Sequence, residues 1–111
     1  MANGLDGVHV VDALGGLLGG YCAKMLRDAG ADVTLLEPSG GDELREWTVD
    51  ATNNTDTGKP GALFRHLRAG QRAVRADDDE QRQRWAASAD CVIVGPEGVD
   101  VDALHQADPG L

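Results

Sequence analysis

Basic residues are few in this chain beside its acids. Ten Lys and Arg stand against 19 Asp and Glu, a formal charge of −9 over 111 residues. Nucleic acids and anionic membrane surfaces are bound through basic patches, so neither is an expected partner. No apolar run reaches membrane-spanning length, and the opening MANGLDG lacks the basic-then-apolar order of a secretion signal. A soluble, cytoplasmic protein is therefore expected. Only two cysteines are present, and Cys22 and Cys91 read as small buried apolar residues in a reducing compartment rather than as a disulfide. There is no internal repeat, nucleophile elbow, HExxH pair, P-loop or CxxC, so the strong catalytic and metal signatures are missing. His66 has no second histidine or cysteine at metal spacing.

What is present is organised around residues 8–38. Val8, Val10, Val11 and Ala13 form a short β-branched run of the kind expected for a strand buried in a parallel sheet. Four glycines follow, Gly15, Gly16, Gly19 and Gly20. Leu17, Leu18, Tyr21, Cys22, Met25 and Leu26 then recur in pairs every four positions, which predicts a helix with one apolar stripe. Gly30 is placed to end it with a positive φ, and Val33, Leu35 and Leu36 give a second strand. A crossover of this length makes a right-handed βαβ unit. A glycine-rich turn between strand and helix is where such folds hold anions, because free N–H groups and the helix dipole converge there. The spacing GGLLGG departs from the GxGxxG dinucleotide fingerprint, although Glu37 stands where its acid would be. The structural alternative is that Gly15 and Gly16 make a tight turn while Gly19 and Gly20 let the helix pack closely. The glycines alone support both readings equally.

Residues 38–60 are polar and rich in Gly, Thr, Asn and Asp, which predicts a long, mobile loop. Asp42, Glu43 and Arg45 mark a short helical turn within it, and Trp47 is expected to anchor it to the core. Leu63, Phe64 and Leu67 predict a short helix ended by Gly70, and 72–75 is a candidate strand. Asp77, Asp78, Asp79 and Glu80 complement a helix N-terminus, with Trp85, Ala86 and Ala89 as its buried face. A strand from Cys91 to Val94 and a last helix from Asp100 to about Gln106 complete the order. One domain, 1–111, is expected: a three-layer α/β, Rossmann-like domain with a mainly parallel sheet. A repeating α/β pattern would continue with another strand, so the chain reads as the front part of something longer or as a member that has lost its back.

Leu5-Asp6-Gly7-Val8 through Asp12, Gly30-Ala31-Asp32-Val33, Glu37-Pro38, Gly40-Gly41-Asp42, Gln71 to Val74, Ala89 to Val94 and Asp100 to Leu104 together resemble the N-terminal segment of the family III CoA-transferases. That group includes formyl-CoA and carnitine CoA-transferases and α-methylacyl-CoA racemase. The resemblance implies a domain holding the nucleotide end of CoA or an acyl-CoA within an interlocked homodimer, partnered by itself or by a second family copy. It places candidate CoA contacts at Gly16, Leu17, Leu18, Gln71, Arg72 and Gly95. Several positions depart from the pattern. Leu18-Gly19-Gly20 replaces AGP, residues 68–73 replace the Asn, Lys and Ser of NxxKRS, and Val94-Gly95-Pro96 replaces ENF with the following loop shortened. No residue matches the family's catalytic aspartate, so no catalytic residue is assigned. The ligand is expected over residues 14–18 and Gly95, bound weakly, with Arg68 and Arg72 as the nearby basic residues. The alternatives are a non-catalytic assembly domain and a generic nucleotide-binding module.

Overall fold

The computed structural model describes residues 4–47, 61–96 and 98–109. Strands β1 (His9–Asp12), β2 (Asp32–Glu37), β3 (Arg72–Arg75) and β4 (Cys91–Ile93) alternate with helices α1 (Gly16–Asp28), α2 (Ala62–Arg68), α3 (Asp79–Ala87) and α4 (Val101–Ala107). A 3-10 turn, Glu43–Glu46, lies between β2 and α2. All pairings are parallel and the strand order is β3-β2-β1-β4. The chain therefore reverses direction across the sheet after β3, as doubly wound α/β folds do.

The sheet separates three apolar clusters. Val10 and Val33 meet Ala23 of α1, and Leu35 meets Leu44, Phe64 and Leu67 on the same face. Val11, Leu36, Ala76 and Ala89 pack on the opposite face, with Trp85 of α3 against them. Successive strand residues point to opposite faces, so the unbroken apolar runs in β1 and β2 fill both layers at once. This is the three-layer α/β arrangement with a parallel sheet expected above.

Helix boundaries follow local chemistry. Gly30 takes a φ of 110° after α1 and Gly70 a φ of 77° after α2. Asp78 and Asp100 cap α3 and α4, their carboxylates accepting from the N–H groups of Gln81 and Ala103.

Three expectations are corrected. The apolar stripe of α1 was expected to be buried, but Gly19, Gly20 and Ala23 are the buried residues of that helix. Leu18, Tyr21, Cys22 and Met25 face outward. An ideal Cβ on Gly19 would lie 2.8 Å from Asp12 Oδ2, and one on Gly20 would lie 3.1 Å from Leu67 Cδ1. The small face is the only one that lets α1 sit this close to the sheet, so packing overrides hydrophobicity in setting the helix rotation. Cys22 is accordingly exposed. Trp47 is 46% exposed, and the residue that anchors its segment is Leu44, fully buried in the 3-10 turn. The rest of the expected loop, 48–60, lies outside the described residues.

Candidate functional site

At the carboxyl ends of β1 and β2 the glycine turn forms one wall of a cavity of about 500 Å³. Leu14, Gly15 and Gly16 come from the turn after β1, Asp42 and Glu43 from the segment after β2, and Arg82 from α3. Open α/β sheets hold ligands at this edge.

The turn is built on two carboxylates. Asp12, wholly buried at the end of β1, accepts through Oδ1 from the N–H groups of Leu14 and Gly15, each at 2.9 Å. Asp42 Oδ2 accepts from Gly16 N–H at 2.9 Å, and its Oδ1 accepts from Leu44 N–H at 2.9 Å. Gly15 holds φ 68° and ψ −163°, a conformation open to glycine alone. An ideal Cβ there would stand 2.6 Å from Asp42 Oδ2. The N–H groups of Leu14, Gly15 and Gly16 are thus already bound by side chains of the chain itself. The glycines make a tight turn at Gly15 and Gly16 and let α1 pack closely at Gly19 and Gly20.

Charge in the cavity is mixed. Asp42 and Glu43 supply acids, and Arg82 supplies a guanidinium whose Nη2 donates to the Ala13 carbonyl. Glu37 does not face a ligand freely, because Arg45 grips its two oxygens at 2.7 and 3.0 Å. Arg45 also stacks over the Phe64 ring at 4.3 Å. Among the described residues no group of His, Cys, Asp or Glu could hold a metal ion.

The candidate contact residues are dispersed. Gly16 lines the cavity. Leu17 packs on the Leu35–Leu44 cluster, and Leu18 projects outward at 77% exposure. An ideal Cβ on Gly95 would meet Leu14 Cδ1 at 2.8 Å, so that glycine lets the turn after β4 close on the one after β1. Gln71 is tied locally, donating to the Leu67 carbonyl and accepting from Arg68. Arg72 begins β3 beside Thr34 and lies 3.9 Å from Asp32.

The structure places the basic residues named for the ligand away from this cavity. Arg68 is buried, with Nη2 at 2.6 Å from Asp12 Oδ2. Arg72 does not line the cavity, and Arg82 does. The signal for Arg82 was available, because helices of a parallel βαβ sheet start at the strands' carboxyl ends. A base in the first turns of α3, just after the Asp78 cap, must therefore lie at the ligand edge.

With this geometry in hand, the model of CoA-transferase family III matches residues 5–95. The chain belongs to CoA-transferase family III. It is 30% identical over 108 residues to succinyl-CoA:mesaconate CoA-transferase of Haloarcula hispanica, covering 96% of this chain and 27% of that protein. It is 30% identical over 121 residues to succinate–glutarate CoA-transferase of Agrobacterium fabrum, covering 96% of this chain and 30% of that protein. Among solved structures, a CaiB/BaiF family protein from Brucella suis superposes with a TM-score of 0.68 at 31% identity, over 83% of this chain and 25% of that one. Rv3272 from Mycobacterium tuberculosis superposes with a TM-score of 0.74 at 26% identity, over 99% of this chain and 33% of that one. The family III chain thus spans about a quarter to a third of the length of these relatives. Among its described residues, no helix is long and apolar enough to cross a membrane.

Proposed function

We propose that this chain is the CoA-facing N-terminal portion of a family III CoA-transferase, that its own hold on CoA is weak, and that by itself it transfers no CoA. The named relatives move CoA between succinyl-CoA and mesaconate or between succinate and glutarate. By that likeness the thioester of a small dicarboxylic acid is the substrate class for the whole enzyme.

The observation that carries the reading is the cavity over the glycine turn, at the edge where an open α/β sheet takes its ligands, within a chain of this family. The residues there fit a phosphate poorly. The N–H groups of Leu14, Gly15 and Gly16 are engaged by Asp12 and Asp42. Arg82 faces two acids across the cavity. A phosphate that reached those three N–H groups would have to displace a carboxylate from the turn, and the one guanidinium lining the cavity is that of Arg82, so few of the charge-assisted hydrogen bonds that are about twice as strong as neutral ones are on offer. A chain of charge −9 also repels a polyanion on approach.

The family resemblance implies transfer through a carboxylate nucleophile, and on our reading no acid of residues 1–111 takes that role. Of the acids at and behind the cavity wall, Asp42 caps the turn and Asp12 is sealed against Arg68. An anhydride-forming acid must instead be free to attack a thioester carbonyl.

Isothermal calorimetry of the chain with CoA, NAD and ATP tests the reading. Weak binding that prefers CoA and fades with added salt is expected. Tight, salt-insensitive CoA binding would overturn the claim of a weak hold, and equal binding of all three would favour a generic nucleotide module. A second reading, a non-catalytic assembly domain, is favoured by the apolar outer face of α1.

A further inference from the structure

A second cavity, of about 410 Å³, lies where α3 crosses the edge strand β3, and Arg75, Gln81, Arg84, Trp85 and Ser88 line it. Arg75 is the last residue of β3. Gln81, Arg84, Trp85 and Ser88 recur three or four positions apart and so share one side of α3 and its C-terminal cap. No lining residue is common to this cavity and the one over the glycine turn, which Arg82 reaches from another side of the same helix.

The chemistry here runs against that of the chain. Although the net charge is −9, the described residues lining the cavity include two guanidiniums and no carboxylate. The neutral polar groups have their obvious acceptors engaged. Gln81 Oε1 accepts from Asp77 N–H at 2.9 Å, which leaves its NH2 group as the remaining donor, and the Ser88 hydroxyl donates to the Trp85 carbonyl at 2.6 Å. Arg75 is partly committed, with Nη2 donating to the Ser39 carbonyl at 3.0 Å and Nε lying 3.7 Å from Asp77 Oδ1. The Arg84 guanidinium has no hydrogen bond or ion pair among the described residues. Trp85, which packs on the core cluster of Val11 and Leu36, also forms part of the cavity wall.

We propose that this cavity binds a small aromatic monocarboxylate, with the carboxylate held by the fork of Arg84 and the ring set against Trp85. A guanidinium presents two parallel N–H groups at the spacing of a carboxylate's oxygens. An indole held in place by the core offers a flat apolar surface to a second ring at little entropic cost. A single negative charge is favoured over a phosphate's two, because only one guanidinium is uncommitted and Asp77 stands beside the other. The volume falls within the roughly 300–1,000 Å³ of small-molecule sites. The site is distinct from the cavity of the proposed CoA contact and does not depend on whether CoA binds there.

Proton–nitrogen NMR of the full chain tests this with phenylacetate as the probe. The Trp85 indole N–H should shift saturably, with a Kd on the order of 1 mM for so small a ligand. The Trp47 indole N–H should stay in place, and the Trp47→Phe variant tells the two signals apart. Acetate and benzyl alcohol carry the anion and the ring separately, and each should bind at least about tenfold more weakly. Arg84→Gln should weaken phenylacetate about tenfold, the loss expected for a charge-assisted pair. Because Arg84 is exposed, the thermal midpoint of that variant should match the wild type. Should it melt early, the salt dependence of the wild-type titration replaces it: the Kd should rise with added chloride, and a flat response would count against the ion pair. Arg82→Gln should leave the titration unchanged. No saturable shift with phenylacetate, undiminished binding by Arg84→Gln, equal binding of acetate or benzyl alcohol, or loss of binding in Arg82→Gln would each overturn the proposal. Phenyl phosphate binding more tightly than phenylacetate would overturn the assignment of a carboxylate.

Discussion

Arg68 Nη2 lies 2.6 Å from Asp12 Oδ2 with both side chains nearly sealed from solvent. Through that contact α2 is joined to the end of β1 and so to the glycine turn, because the other oxygen of Asp12 holds Leu14 and Gly15. The Arg68 Nε has no hydrogen-bond partner among the described residues, which adds a desolvation cost. A buried pair of this kind adds little net stability against an apolar replacement, but removing one partner strands the other charge.

Arg68→Met should therefore destabilise the chain by about 3–5 kcal/mol, and Asp12→Asn by a comparable amount. Chemical denaturation measures both. The double variant should cost clearly less than the sum of the singles, and strict additivity would show that the two side chains do not act as a pair.

Gly19→Ala separates packing from propensity. Helix propensity alone favours alanine in a helix interior by about 1 kcal/mol. An added Cβ would meet the two Asp12 oxygens at 2.8 and 2.9 Å, however, and overpacking costs about 1–3 kcal/mol. A net loss of stability is expected in thermal melts. A gain would mean that α1 can lift from the sheet at little cost.

Asp42→Ala should trade stability for affinity. It removes the acceptors of Gly16 N–H and Leu44 N–H, which should cost about 1–2 kcal/mol. It also frees a turn donor and deletes a negative charge from the cavity. CoA binding by calorimetry should strengthen about tenfold or more, as expected for one charged hydrogen bond of about 1.5–3 kcal/mol gained. Unchanged affinity would place the phosphates elsewhere.

Arg82→Gln should abolish most of whatever CoA binding the chain retains and flatten its salt dependence, since this residue is the cavity's guanidinium. Arg72→Gln should leave binding unchanged, because Arg72 lies beside Asp32 and outside the cavity. The reverse pattern would move the ligand to the other end of β3.

The sequence by itself determined the order of elements, the parallel sheet and most boundaries. Those follow from local rules: β-branched runs in β1 and β2, positive-φ glycines at Gly30 and Gly70, and the caps Asp78 and Asp100. Tertiary structure decided which face of α1 is buried. Periodicity shows that a helix has an apolar stripe but not that the stripe faces inward, and here Gly19, Gly20 and Ala23 are the residues buried against the sheet, flanked by Leu17 and Leu26, while the rest of the stripe faces out. It also decided the chemistry of the site. That Asp42 caps a turn 26 residues before it and that Arg68 is spent on Asp12 56 residues away are long-range pairings that no local pattern encodes. They exist because the fold brings distant charges within hydrogen-bonding reach and excludes water from them.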